Sequence, residues 1–197
     1  MRYVEKIVLT LMAIFIFNAG GDVVAASPAQ EQLRQSIDAI LAVLRNPELK
    51  ADSQKENRRA TLEKIVEDRF DFEKMSQLSL ARHWKERSAS EKSEFVALFG
   101  QLLKDTYINK MEGYTDEKVV FRNERIRKKK AQIDTKIITQ TVEIPINYRM
   151  FTRANDRWRV YDIIIEGVSL IGNYRSQFRQ ILEKGSFEDL MDKLKKK

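Results

Sequence analysis

The spacing of the apolar residues changes twice along this chain, and that limits the architectures open to it. From Ser27 to Met111 apolar side chains recur at three- and four-residue steps. Between Lys118 and Ile165 they alternate with polar ones, and from Ser169 the helical spacing returns. A block of helices, a block of strands and a second block of helices do not make βαβ units. The predicted class is therefore α+β, with antiparallel strands neighbouring in sequence and helices packed on them.

The individual signals are local. Leu33, Ile37, Ile40, Leu41 and Leu44 give an amphipathic helix that Asn46-Pro47 ends. A second helix, from about Asp52 to Asp68, has only Leu62, Ile65 and Val66 as its apolar face. Phe72, Met75, Leu78 and Leu80 form a short helix that Trp84 closes. Ser88-Ala89-Ser90-Glu91 has the spacing of a capping box and opens a long helix to about Met111. Val142, Ile144, Ile146, Tyr148 and Met150 alternate with polar residues, which predicts a strand with one buried face. Pro145 within it predicts an edge or a bulge. Ala154 to Arg157 is a turn, Trp158 to Ile165 the partner strand, and Gly167 a sharp reversal. Ser169 is the expected N-cap of a helix to Lys184, with Gly185 as C-cap and a last short helix from Ser186.

The first residues have a different chemistry. Arg2 and Lys6 precede the apolar run Ile7 to Phe17, which leads to the small residues Val24-Ala25-Ala26. That order predicts a secretory signal peptide, residues 1–26, cleaved after Ala26. The run is too short to be a bilayer span. A single domain, residues 27–197, is expected to remain, working in the bacterial periplasm. The formal charge is +7 both before and after cleavage, because the leader holds two basic and two acidic residues. Without cysteine there is no disulfide, so packing alone must hold the fold. A basic balance suits nucleic acid, an anionic lipid surface or an acidic protein. Export makes nucleic acid the poorest of the three.

Catalytic groups are sparse. His83 is the single histidine, in an Arg/Lys-rich stretch, and reads as structural. No metal-spaced cluster and no glycine-rich phosphate loop is present, so neither metal nor cofactor is expected, and no enzymatic activity. Asp162 and Glu166 form the one carboxylate pair to consider. A strand-end hydrogen bond or cap for the next helix is the favoured reading, over acid–base work.

Phe70-Asp71-Phe72-Glu73-Lys74-Met75-Ser76, Trp84, Glu94-Phe95, Leu102-Leu103 and Tyr107 lead into a denser match. It runs through Ile144-Pro145-Ile146-Asn147-Tyr148, Trp158 to Ile163, Glu166 to Ile171 and Asn173 to Phe178. Over nearly all of the chain after the leader, this resembles the MlaC-type periplasmic phospholipid-binding proteins, also called the toluene-tolerance auxiliary family. The resemblance implies a twisted antiparallel sheet with helices packed on it, enclosing an apolar lipid cavity. It implies a phospholipid shuttle between an outer-membrane lipoprotein complex and an inner-membrane ABC transporter with its lipid-binding component, maintaining outer-membrane lipid asymmetry.

Periodicity alone favours a solid core, and only the resemblance turns core residues into a lipid-contacting set. On that basis the expected lining is Phe72, Met75, Leu78, Phe99, Leu103, Tyr107, Ile146, Tyr148, Val160, Ile163, Val168, Tyr174 and Phe178. Arg175 is expected to pair with Asp162 or Glu166 rather than to clamp a phosphate. The run Arg125 to Lys130 is more basic than the family leads one to expect, and reads as a solvated hairpin tip or a docking patch. The alternatives are a carrier of another lipid, such as a hopanoid, and a protein-binding adaptor with a solid core. A monomer is expected.

Overall fold

The computed structural model describes residues 26–113, 117–153 and 157–196. Residues 1–25, which hold nearly all of the expected leader, 114–116, 154–156, where a turn is expected, and Lys197 lie outside them. The helices are α1 (Pro28–Arg45), α2 (Lys55–Arg69), α3 (Phe72–Leu80), α4 (Ala89–Met111), α5 (Leu170–Lys184) and α6 (Phe187–Lys195). Short 3-10 turns stand between α1 and α2 and at Ala81–Glu86, where Trp84 lies. The strands are β1 (Lys118–Arg127), β2 (Lys130–Ile138), β3 (Glu143–Thr152), β4 (Trp158–Ile165) and β5 (Val168–Ser169). They form one antiparallel sheet in sequence order.

The helix starts follow from side chains that satisfy orphan backbone donors. Ser27 accepts from the Gln30 N–H, with Pro28 at the first helical position. Ser88 and Glu91 make the expected capping box, and Ser186 with Asp189 makes a second. Both box carboxyls are held below their ordinary values, first by the backbone N–H of the N-cap serine. Their contribution to stability is thus present above the ordinary carboxylate range and lost as pH falls through the lowered folded value.

The expectation for Pro145 is corrected. β3 is an interior strand, not an edge. Pro145 is tolerated because its carbonyl accepts from the Glu166 N–H, in the turn after β4. The missing Pro145 donor therefore points to where the ladder has already ended. The irregularity in β3 falls instead at Arg149/Met150, where Tyr161 of β4 goes unpaired. The basic run forms the exposed hairpin tip that was expected: β1 and β2 extend to Arg127 and Lys130, leaving Lys128-Lys129 as a two-residue turn. Lys195 ends α6 and pairs with Glu94 at 2.9 Å.

Arg69 joins the helices to the sheet. It is 7% exposed, and it donates to Ser36 and Gln32 on α1 and to the Trp158 carbonyl on β4. Burial lowers its pKa from the ordinary guanidinium value, against the opposing pull of Asp68. Around this hub Ala29, Leu33 and Ile37 of α1 pack on Ala131, Ile133, Met150, Trp158 and Val160 of the sheet. Arg69→Met removes these donors from Ser36, Gln32 and the Trp158 carbonyl, while Gln32 keeps the Trp158 N–H. We expect it to cost roughly 2–4 kcal/mol in urea unfolding, whereas Ser88→Ala should cost about 1 kcal/mol.

Candidate functional site

Buried side chains fall into three clusters. One lies between α1 and the sheet, one among α3, α4, α5 and α6, and a small one joins Leu44, Leu62 and Ile108. They meet around a space that none of them fills. Leu33 and Ile37 face it from the first, Met75, Leu103 and Leu170 from the second, and Leu44 and Ile108 from the third. The cavity holds about 330 Å³. Its floor is the sheet, through Val119, Ile137, Ile144, Ile146, Tyr148, Ile163 and Ile165. Its roof is the C-terminal half of α1 and of α4, with Phe70 and Phe72 alongside. The solid core expected of an adaptor does not hold here.

Lys104, Lys110 and Glu166 are the charged side chains of this wall. Lys104 is neutralised by Glu63 and Glu67 on α2. Lys110 and Glu166 are exposed, at the end where β1 begins and β4 stops. Lys110 also lies 5.5 Å from the centre of the Tyr107 ring. The deep wall, with Leu33, Leu103, Ile108 and Met75, is buried hydrocarbon. Burial raises the Tyr107 pKa, with Tyr174 adding to it, so the phenol stays neutral through physiological pH. This wall can hold an apolar body without offering it a fixed partner.

Of the residues expected in the lining, Phe72, Met75, Leu103, Tyr107, Ile146, Tyr148 and Ile163 stand in it. Leu78, Phe99, Tyr174 and Phe178 do not. They pack together in the helical cluster, where Phe99 touches the rings of Phe95, Tyr174 and Phe178. α4 spans about 34 Å at 1.5 Å per residue, so its N-terminal half serves that cluster and only its C-terminal half roofs the cavity. Val160 is fully buried in the α1–sheet cluster instead. Val168 is 61% exposed in the two-residue β5, outside the cavity. The α1 stripe of Leu33, Ile37, Ile40, Leu41 and Leu44 was visible in the sequence as an apolar face, with nothing to say what it faced.

The carboxylate pair separates. Asp162, 2% exposed, accepts from the Ser169 hydroxyl at 2.7 Å and the Ile171 N–H at 3.1 Å, and pairs with Arg149 at 3.1 Å. It fastens β4 to the start of α5, as the capping reading expected. Glu166 and Gly167 both take positive φ in the β4–β5 turn, +50° and +84°. Arg175 pairs with neither acid; it donates to the Leu78 carbonyl at 2.9 Å. His83 sits in the 3-10 turn beside Glu86 at 3.3 Å. Among the described residues no group of three or more His, Cys, Asp or Glu could hold a metal ion. No described helix is long and apolar enough to cross a membrane.

Fold and site together define a small α+β protein built around an apolar cavity between sheet and helices. The chain belongs to the MlaC protein family, whose model matches residues 34–196. It is similar to the intermembrane phospholipid transport system binding protein MlaC of Haemophilus influenzae, 25% identical over 120 residues. That match covers 58% of this chain and spans little more than half, 56%, of the relative. Its fold is similar to that of a phospholipid-binding protein from Ralstonia solanacearum, solved in complex with a phospholipid. The TM-score is 0.75 at 22% identity, over 86% of this chain and 96% of that one.

Because Asp162 is a fastener, Asp162→Ala should lower stability by about 2–4 kcal/mol. Thermal unfolding checks it. An unchanged unfolding midpoint would return the carboxylate to the list of chemically active groups.

Proposed function

We propose that this protein is a phospholipid carrier, exported to the periplasm, which shields acyl chains from water between two membranes. The observation that carries the reading is the cavity wall: its depth is hydrocarbon, its one sheltered cation, Lys104, is paired off to α2, and its other charges, Lys110 and Glu166, are exposed. The phospholipid named for the Ralstonia structure and the transport system named for the Haemophilus relative support it. We infer that residues 1–26 are removed on export, and that residues 27–197 act as one monomeric lipid-binding domain without enzymatic activity. The donor and acceptor we propose are an outer-membrane lipoprotein complex and an inner-membrane ABC transporter with its lipid-binding component, serving outer-membrane lipid asymmetry.

Energetics fit such a role. Burying an acyl chain gains about 0.8 kcal/mol per CH₂ relative to water, but a bilayer offers the same gain. A carrier therefore works best when its wall is as apolar as the bilayer and holds the headgroup loosely. A volume of 330 Å³ is at the low end of the ~300–1,000 Å³ usual for ligand cavities, so the wall must widen as chains enter. Met75 and Met111, unbranched and adaptable, are placed to let it.

Native mass spectrometry of the exported protein, with lipid extraction in parallel, tests the proposal. We expect a mass beginning near Ser27 and near-stoichiometric phospholipid. Ile146→Trp, which puts a large ring into the cavity, should cut the bound lipid at least tenfold. Val168→Trp, outside the cavity, should leave it unchanged. A protein that stays lipid-free after incubation with phospholipid vesicles would contradict the reading.

A further inference from the structure

The cavity leaves one strongly charged feature unused, the β1–β2 hairpin tip. The two ends of the sheet differ. The exposed lining residues Lys110 and Glu166 lie near the end where β1 begins and β4 stops. The hairpin tip is at the other end, with Arg127 paired to Lys130 across the turn and Lys130 opposite Phe151. Arg127, Lys128, Lys129 and Lys130 are all exposed, and none has a carboxylate partner among the described residues. The neighbouring cations are different: Arg125 is paired with Asp134, Arg153 with Asp71 and Glu73, and Arg157 with Asp68. Local acids neutralise the flanks and leave the tip itself positive.

One apolar side chain stands within this patch. Ile126 is 47% exposed although its cross-strand partner Ala131 is buried. Four cations on and flanking a two-residue turn, beside an exposed isoleucine, match the chemistry of an anionic bilayer surface. Lysines meet the phosphates there as mobile point charges, and a branched apolar group enters the headgroup layer. A rigid acidic protein site would favour arginines in fixed bidentate pairs, and three of the four cations are lysines.

We propose that the β1–β2 tip is a second contact site, distinct from the cavity, that binds the surface of membranes rich in anionic phospholipid. Each cation near such a surface strengthens binding about fivefold. Contact through this tip holds the exposed rim of the cavity away from the bilayer that the tip touches. The rim then faces a partner while the tip holds the membrane.

The test is co-sedimentation of the exported protein with phosphatidylcholine vesicles, with and without phosphatidylglycerol. We expect binding only with phosphatidylglycerol, weakening as salt rises. Arg127→Gln, Lys128→Gln, Lys129→Gln and Lys130→Gln together should reduce binding by roughly 600-fold, about fivefold for each charge removed. Lys128→Arg, Lys129→Arg and Lys130→Arg together, which keep the charge, should bind as the parent does. Ile126→Ser should weaken binding without changing its salt dependence. Lipid carried by each variant, read by native mass spectrometry, should equal that of the parent, which separates this site from the cavity. Equal sedimentation of the parent and the four-glutamine variant would overturn the proposal. So would a parent that stays in solution with phosphatidylglycerol present, which would point to an acidic protein surface instead.

Discussion

The structure depends on how α1 is fixed to the sheet. Arg69, taken out of water, gives its donors to Ser36 and Gln32 of α1 and to the Trp158 carbonyl of β4, while Gln32 also accepts from the Trp158 N–H. Leaving any of these buried groups unpaired costs more than a pair gains, so α1 is strongly fixed at this end. Close packing by Ala29, Leu33 and Ile37 follows from it. Further along, Leu44 turns to Leu62 and Ile108. α1 thus spans from the sheet to α2 and α4, and the space beneath its C-terminal half stays open.

The polar chemistry of the molecule works mainly as fastening. Asp162 holds the start of α5, Ser88 and Ser186 cap helices, and Glu63 with Glu67 neutralises Lys104. With these groups engaged in holding the scaffold, the depth of the cavity is hydrocarbon with two phenols, and its remaining charges, Lys110 and Glu166, are exposed. A protein that must release what it holds gains from such a division, because strong polar hooks would slow transfer to the next site.

Much of the architecture was legible because its signals are local. Ser88 and Ser169 announced helix starts, and the alternation from Ile144 to Met150 announced a strand. The lining was legible only in part. Periodicity tells which face of an element is apolar but not what lies opposite. Phe99 and Leu103 follow one another at four-residue spacing on α4, yet one is sealed among aromatic rings and the other borders the cavity. Val160 and Ile163, three apart, would face opposite sides of a regular strand. The unpaired Tyr161 between them shifts the register, so both join the same cluster. Pro145 misled for a similar reason, since the side of the strand on which its missing donor falls is a property of tertiary pairing.

The most direct test of the central claim is photocrosslinking with a phospholipid carrying a diazirine near the end of an acyl chain, followed by peptide mapping. The account predicts adducts on the α1 stripe from Leu33 to Leu44, on Leu103 to Met111 of α4, and on the inward residues of β2, β3 and β4. Adducts confined to Phe99, Tyr174 and Phe178, or spread over the exposed surface, would contradict it. They would place the acyl chains somewhere other than the space beneath α1.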